Sequence, residues 1–227
     1  MPQKNDASIE VTGFEWVPPF ARGRVRDLRV RWALEEIGVD YRSRLISAID
    51  RPADYYREQP FGQVPYYREG DVALFESGAI ALHIAEKDER LMPRDPAGRG
   101  RAITWVVAAL NSIEPDIMHL IDIDLFCAGQ EWAKLRRPDA VKQMEKRLDQ
   151  LSNMLGEKDW LEGRFTVGDL MMVSVLRILS PDQVAMPRAL ANYVARGEAR
   201  PAFKAALAAQ MADFLPDEAV KMEGVPA

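Results

Sequence analysis

The sequence predicts a small α/β domain followed by an all-helical one. Three observations carry this. Short β-branched and aromatic runs alternate with helical spacings over about the first 85 residues. Pro and Gly then cluster at Pro93, Pro96, Gly98 and Gly100, and every apolar pattern beyond repeats at three and four. The boundaries that follow are residues 1–90 for the first domain, 91–100 for a linker and 101–227 for the helical domain.

Ile9 to Val17 alternates loosely and reads as a strand, stopped by Pro18-Pro19. From Arg24 to Ile37 the apolar positions Val25, Leu28, Val30, Trp32, Ala33, Leu34 and Ile37 approximate a helix, with Gly38 where a C-terminal cap belongs. Tyr41 to Ile49 is a second strand, and Pro52 to Glu58 a short helix or turn. Val64–Arg68 and Val72–Phe75 flank Glu69-Gly70-Asp71 as a hairpin, and Ser77 precedes a helix over Ala79–Glu86. The order is β-α-β-α-β-β-α.

In the second domain Ile103, Val106, Val107, Leu110 and Ile113 mark one helix face, which Pro115 bends rather than ends. Val141, Met144, Leu148, Leu151 and Leu155 form a buried stripe. Thr166-Val167-Gly168-Asp169 has the Thr-x-x-Asp form of a capping box before Leu170-Met171-Met172-Val173. Two further helices fit Arg188–Ala195 and Pro201–Phe214.

Composition narrows the function classes. With 48% apolar and 29% charged residues, the chain has the material for packed cores and is not a disordered tract. Its longest uncharged apolar stretch, Ile103–Leu110, is far short of the roughly 20 residues of a membrane span. Met1–Ser8 is polar and carries no secretory pattern, so a cytoplasmic location is expected. Cys127 is the single cysteine and His83 and His119 the two histidines, which leaves no material for a disulfide and little for a metal site. The net charge of −5 opposes nucleic-acid binding, although Arg22, Arg24, Arg26, Arg29 and Arg31 gather five cations in ten residues against Asp27. Such a segment fits either a small anionic ligand or a solvated helix face.

The succession Arg29-Val30-Arg31-Trp32-Ala33-Leu34-Glu35-Glu36-Ile37-Gly38, Gln63-Val64-Pro65, Phe75-Glu76-Ser77-Gly78-Ala79-Ile80, Phe165-Thr166-Val167-Gly168-Asp169 and Arg200-Pro201-Ala202-Phe203 resembles the glutathione S-transferase superfamily, in a bacterial-type cytosolic form. The resemblance covers roughly residues 8–215. It implies a thioredoxin-like N-terminal domain, glutathione as co-substrate, a small electrophile as second substrate and a homodimer. It also implies a cis Val64–Pro65 bond that offers the Val64 backbone to the cysteinyl unit of glutathione. Ser77 and the following helix-start amides would hold the γ-glutamyl carboxylate, Glu76 the glutamyl ammonium, and Gln63 a peptide amide. The residues also admit plainer readings: Pro65 as the start of an edge strand, and Ser77 as an N-cap.

Family enzymes carry a Tyr, Ser or Cys at or just before the first helix, and no such residue occurs here between Thr12 and Tyr41. The Cys-dependent chemistry of the superfamily is therefore disfavoured. Arg22 or Arg24, near the position of that missing residue, is expected to supply a positive field for the thiolate, with helix solvation as the other reading. Trp16 and Phe20 either wall a co-substrate pocket or pack between domains. The transferase reading stands beside a second one, a non-catalytic binding or regulatory module with the same fold.

Overall fold

The computed structural model describes residues 4–217; residues 1–3 and 218–227, at the outer ends of the two predicted domains, lie outside the described residues. The first strand, β1 (Ile9–Phe14), is the centre of a four-stranded mixed sheet. It runs parallel to β2 (Tyr41–Ile46), with Ile9 opposite Tyr41, and antiparallel to β3 (Tyr66–Glu69), with Val11 opposite Tyr67. The hairpin partner β4 (Val72–Phe75) forms the far edge, giving the order β2-β1-β3-β4. A parallel pair needs a crossover, and α1 (Asp27–Ile37) supplies it. Gly38 ends that helix at φ 69° and returns its N–H to the last helical carbonyls, as its position in the sequence predicts. A short 3₁₀ turn (Ala53–Arg57) follows β2, and α2 (Ser77–Ala85) follows β4.

Several boundaries differ from the sequence reading, among them the end of β2 at Ile46 rather than Ile49. The first strand ends at Phe14 rather than Val17, and α1 begins at Asp27 rather than Arg24. Pro18-Pro19 and a 3₁₀ turn at Pro19–Ala21 redirect the chain, and Gly23 at φ 72° interrupts any helical path before Val25.

The described chain forms two compact units, one from Met1–Ile84 with Pro201–Ala227 and the other from Ala85–Arg200. The last helix, α8 (Pro201–Asp213), thus packs with the sheet unit, although the sequence groups it with the helices before it. Its packing partner is α1: Phe203 meets the Trp32 ring edge-on at 4.9 Å, and Leu215 beyond the helix donates to the Glu15 carbonyl at 2.8 Å. Helical spacing reveals that residues 201–213 are a helix, but not which core receives it.

Between α1 and α8 lies a buried ionic network. Arg31 is 1% exposed and pairs with Asp27 (Nε–Oδ2 2.7 Å) and Asp213 (2.7 Å). Gln210 on α8 donates to Asp27 Oδ1 at 2.7 Å and to the Val25 carbonyl at 3.2 Å. Burial pushes the Asp27 carboxyl up and Arg31 opposes that shift. Gly13 on β1 faces the pair, and a Cβ there would stand 3.0 Å from Arg31 Nη2 and 3.1 Å from Asp27 Oδ2. The sheet approaches the network this closely because that position has no side chain.

The other unit begins at Ala85, ahead of the stretch at 91–100 that the sequence suggests as a linker. Leu91 and Met92 are fully buried, and α3 (Pro96–Ala108) starts with Pro at its first position. Asp95 caps it, accepting the Gly98 N–H at 2.7 Å. Part of the Pro- and Gly-rich stretch is therefore a helix start. The path continues through α4 (Glu114–Ile121) with π-helical turns at Ala109–Ile113 and Asp122–Phe126. Pro115 lies just past the first of these turns, so the helix continues across it as expected. Next come α5 (Glu131–Leu155), α6 (Val167–Leu176) and α7 (Arg188–Glu198). Every residue of α6 is buried, and its predicted capping box is formed. Asp169 accepts from the Thr166 and Leu161 amides at 2.9 Å each and from the Tyr193 hydroxyl at 3.0 Å.

Removing one member of a buried ion pair strands the other, a cost of about 3–5 kcal/mol. Asp27→Ala is expected to lower the unfolding free energy by about that amount, and Asp27→Asn by less because the amide still accepts from Gln210. Urea denaturation of the two variants checks both magnitudes.

Candidate glutathione site

The loop before β3 is organised from inside. Buried Gln59 accepts the Phe61 and Gln63 amides on its Oε1 at 2.7 and 3.2 Å. The Tyr55 hydroxyl donates to the Gln63 carbonyl at 2.6 Å. Val64 packs into a cluster with Ile46, Tyr55 and Tyr66, and the Val64–Pro65 bond is cis. Pro65 precedes β3. Among the described residues nothing hydrogen-bonds the Val64 N–H or C=O, while the Gln63 side chain is exposed beside them.

At the other end of the hairpin, Glu76 adopts φ 71°, the left-handed region that costs a non-glycine residue about 1–3 kcal/mol. Its carbonyl accepts the Ile80 N–H at 3.0 Å, so Glu76 occupies the cap position and Ser77 begins α2. This corrects the expected helix start at Ala79 and the plain N-cap reading of Ser77. The Ser77, Gly78 and Ala79 amides have no acceptor within the helix, and Glu76 is exposed next to them. Ser77 is buried, and its Oγ accepts from Arg29 Nη1 at 3.1 Å. A guanidinium offers only donors, so the Ser77 hydroxyl hydrogen is left to point elsewhere.

The arginine-rich segment divides by direction. Arg22 pairs with Asp217, which also accepts from the Trp16 indole at 2.8 Å. Arg24 is exposed and donates to the Phe20 carbonyl at 2.8 Å. Neither is brought to the Val64 loop. Arg26 is, with its Nη1 3.4 Å from Gln63 Oε1. Arg29 and Arg31 are buried in the bonds described above, so the segment is neither a solvated face nor a uniform cationic patch. Sequence reasoning missed Arg26 and Arg29. Their spacing of three on one helical path was the available signal, since it sets them on the same side while Arg24 and Arg31 fall elsewhere.

The remaining candidates fall into place around this. Thr12 is buried in mid-strand. His83 contacts Glu69 at 3.2 Å and meets the Tyr67 ring edge-on, a packing arrangement. Trp16 is buried and Phe20 half-exposed. Cys127 follows the second π turn, and burial together with Asp122 pushes its thiol pKa up, away from reactivity. Among the described residues there is no metal-binding cluster of three or more His, Cys, Asp or Glu, and no helix long and apolar enough to cross a membrane.

The fold is that of the glutathione transferases: a thioredoxin-like mixed sheet with its helices, then a helical C-terminal domain. Residues 20–86 match the glutathione S-transferase N-terminal domain family. "Glutathione S-transferase 4" of Zea mays is 28% identical over 204 residues, which span 83% of this chain and 87% of that protein. A glutathione transferase structure from Burkholderia graminis, with two glutathione molecules per subunit, superposes with a TM-score of 0.76 at 24% identity, covering 88% of this chain and 87% of that one. One from Pseudomonas putida, with glutathione disulfide bound, gives 0.77 at 21% identity, covering 90% and 92%. The likeness thus lies in the overall fold and, over residues 20–86, in the family of the N-terminal domain.

Hydrogen bonds to a buried charge are worth about 1.5–3 kcal/mol. Ser77→Ala is expected to lower stability within that range by removing an acceptor from Arg29, whereas Ser77→Thr, which keeps the hydroxyl, loses less. Chemical denaturation of both variants distinguishes the hydrogen bond from a general sensitivity of this position.

Proposed function

We propose that the chain is a glutathione-binding transferase. It holds glutathione on the sheet unit and directs the sulfur at a small electrophile, or uses it to assist an isomerisation. The observation that carries this reading is the pairing of two unsatisfied backbone sets. The Val64 N–H and C=O stand beside the cis bond, and the first α2 amides stand at the strained Glu76. An extended tripeptide with a carboxylate at one end and a thiol in the middle satisfies both. The cysteinyl backbone pairs with Val64 as a short strand, the γ-glutamyl carboxylate meets Ser77 Oγ and the α2 amides, and Glu76 faces the glutamyl ammonium. Gln63 adds an amide contact. The Arg29 bond to Ser77 supports the hydroxyl acting as donor, the polarity a carboxylate needs.

Catalysis consists of sulfur attack on an electrophilic carbon, with the leaving group departing with its electron pair. A cytoplasmic location and a homodimer are part of the same reading. For the dimer, Phe61, 67% exposed and 6.3 Å from the Phe75 ring, is the apolar feature of the sheet unit that a second copy would cover. Phe61→Ala is then expected to shift sedimentation towards the monomer.

A second reading, a non-catalytic binding or regulatory module, is favoured by one feature: the loop from Phe14 to Asp27 carries no hydroxyl or thiol side chain. Calorimetry with glutathione and turnover with a panel of electrophiles separates the two, because the module binds without turnover. Glu76→Gly tests the site itself. It removes the carboxylate while relieving the left-handed backbone, so stability is expected to rise by about 1 kcal/mol. Glutathione affinity is expected to fall by about tenfold. A variant that gains stability and keeps full affinity contradicts the assignment.

A further inference from the structure

We propose that Asp217 is a positioning residue for the glutathione site: it clasps the loop of residues 15–24, and the seated loop sets the wall beside Val64. The proposal rests on the glutathione reading above. The loop is flanked by Phe14 and Val25, and both pack against the cluster that holds Val64 with Ile46, Tyr55 and Tyr66. Between these two residues the loop lies on α8 and the residues that follow it. Leu207 of α8 is so near Gly23 that a Cβ there would stand 3.0 Å from its Cδ1, and Gln210 donates to the Val25 carbonyl at 3.2 Å. Past α8, the Leu215 N–H donates to the Glu15 carbonyl at 2.8 Å. Asp217 then accepts on one oxygen from both halves of the loop, from the Trp16 indole at 2.8 Å and from the Arg22 guanidinium. Arg22 also lies over the Phe214 ring, 5.9 Å from its centroid, and its Nε donates to the Val17 carbonyl at 3.4 Å. Residues 16–22 are thus closed into one brace with Asp217 at its centre.

Trp16 is buried, and among the described residues Asp217 is the acceptor of its indole N–H. A buried N–H that loses its acceptor is costly, so loss of Asp217 favours a loop that lifts Trp16 towards water. The Arg22–Asp217 pair is partly in solvent, where an ion pair adds little to global stability. Its effect is geometric instead. The buried Arg31, Asp27 and Asp213 network holds α8 against α1 without Asp217, so the clasp can open while the unit stays folded. Asp217 therefore governs where the loop sits, and through Phe14 and Val25 how the Val64 loop is supported from that side.

The test compares the wild type, Asp217→Ala, Asp217→Asn and Asp217→Glu by brief trypsin digestion of the native protein and by calorimetry with glutathione. Asp217→Ala is expected to speed cleavage after Arg22 and Arg24 about tenfold, while cleavage within residues 85–200 keeps its rate. It is expected to weaken glutathione about fivefold. Asp217→Glu keeps both charge and acceptor and is expected to recover most of that loss. Asp217→Asn keeps an acceptor for the indole but no charge for Arg22, and is expected to fall between. Trp16→Phe removes the N–H that Asp217 holds, so its loss of affinity and that of Asp217→Ala are expected to be less than additive when combined. Unchanged cleavage after Arg22 and Arg24 in Asp217→Ala overturns the clasp. Equal acceleration within residues 85–200 overturns it too, since Asp217 would then be a general stabiliser. A freed loop with glutathione affinity kept overturns the positioning role and leaves the glutathione reading standing. Failure of the wild type to bind glutathione overturns the glutathione reading itself, and the positioning role with it.

Discussion

The buried guanidinium of Arg31 ties the sheet unit together. It is linked to Asp27 one turn earlier on α1 and to Asp213 at the end of α8, while Gln210 closes the ring onto Asp27. The Arg31 and Asp27 charges have been taken out of water, which is costly unless every partner is present. The arrangement therefore fixes the angle and depth of α1, the position of α8 and the approach of β1 at Gly13 together. The rest of the unit inherits that geometry. The first turn of α1 sets where Arg26 and Arg29 emerge, and through Arg29 it reaches Ser77 on α2.

The candidate site is accordingly built from rigid supports and little else. Gln59 and Tyr55 hold the loop ahead of Pro65 from beneath. Glu76 absorbs the backbone strain that lets α2 start abruptly at the sheet edge. What is left exposed are backbone amides, one carboxylate and one neutral amide, a set suited to recognising a peptide rather than performing proton transfer by itself.

Much of this was legible in the sequence. Strand and helix order followed from β-branched runs, the Gly38 cap and the Thr166–Asp169 box, all of which act over a few residues and therefore show in a local pattern. Gln63, Val64, Pro65, Glu76 and Ser77 were likewise readable as candidates because they sit in short motifs. What was not readable depends on distance along the chain. The cations of residues 22–31 looked like one cluster because Asp213 and Asp217, which pair with Arg31 and Arg22, lie at the far end of the chain, the second 195 residues from its partner. Direction was hidden as well: Arg22 and Arg24 are as near in sequence to the expected position as Arg26, and only the folded chain shows Arg22 at Asp217, Arg24 at the Phe20 carbonyl and Arg26 at Gln63. The linker was overread because Pro and Gly mark a helix start as readily as a connection, and Asp95 before Pro96 was the cue that distinguished them.

The placement of α8 bears on how the chain assembles during synthesis. Residues 201–213 complete the core of the unit formed by residues 1–84, and residues 85–200 lie between them as an uninterrupted insert. On the ribosome the insert has all of its own helices available before α8 has emerged. The order of completion is thus inverted relative to the order of translation, in contrast to the usual N-terminal-first sequence of domains. Until α8 arrives, Trp32 lacks the Phe203 ring that packs on it, and the Asp27–Arg31 pair lacks Asp213 and Gln210. The thioredoxin-like part of this chain is in that sense a discontinuous domain, and residues 1–90 expressed alone would lack a wall of their own core.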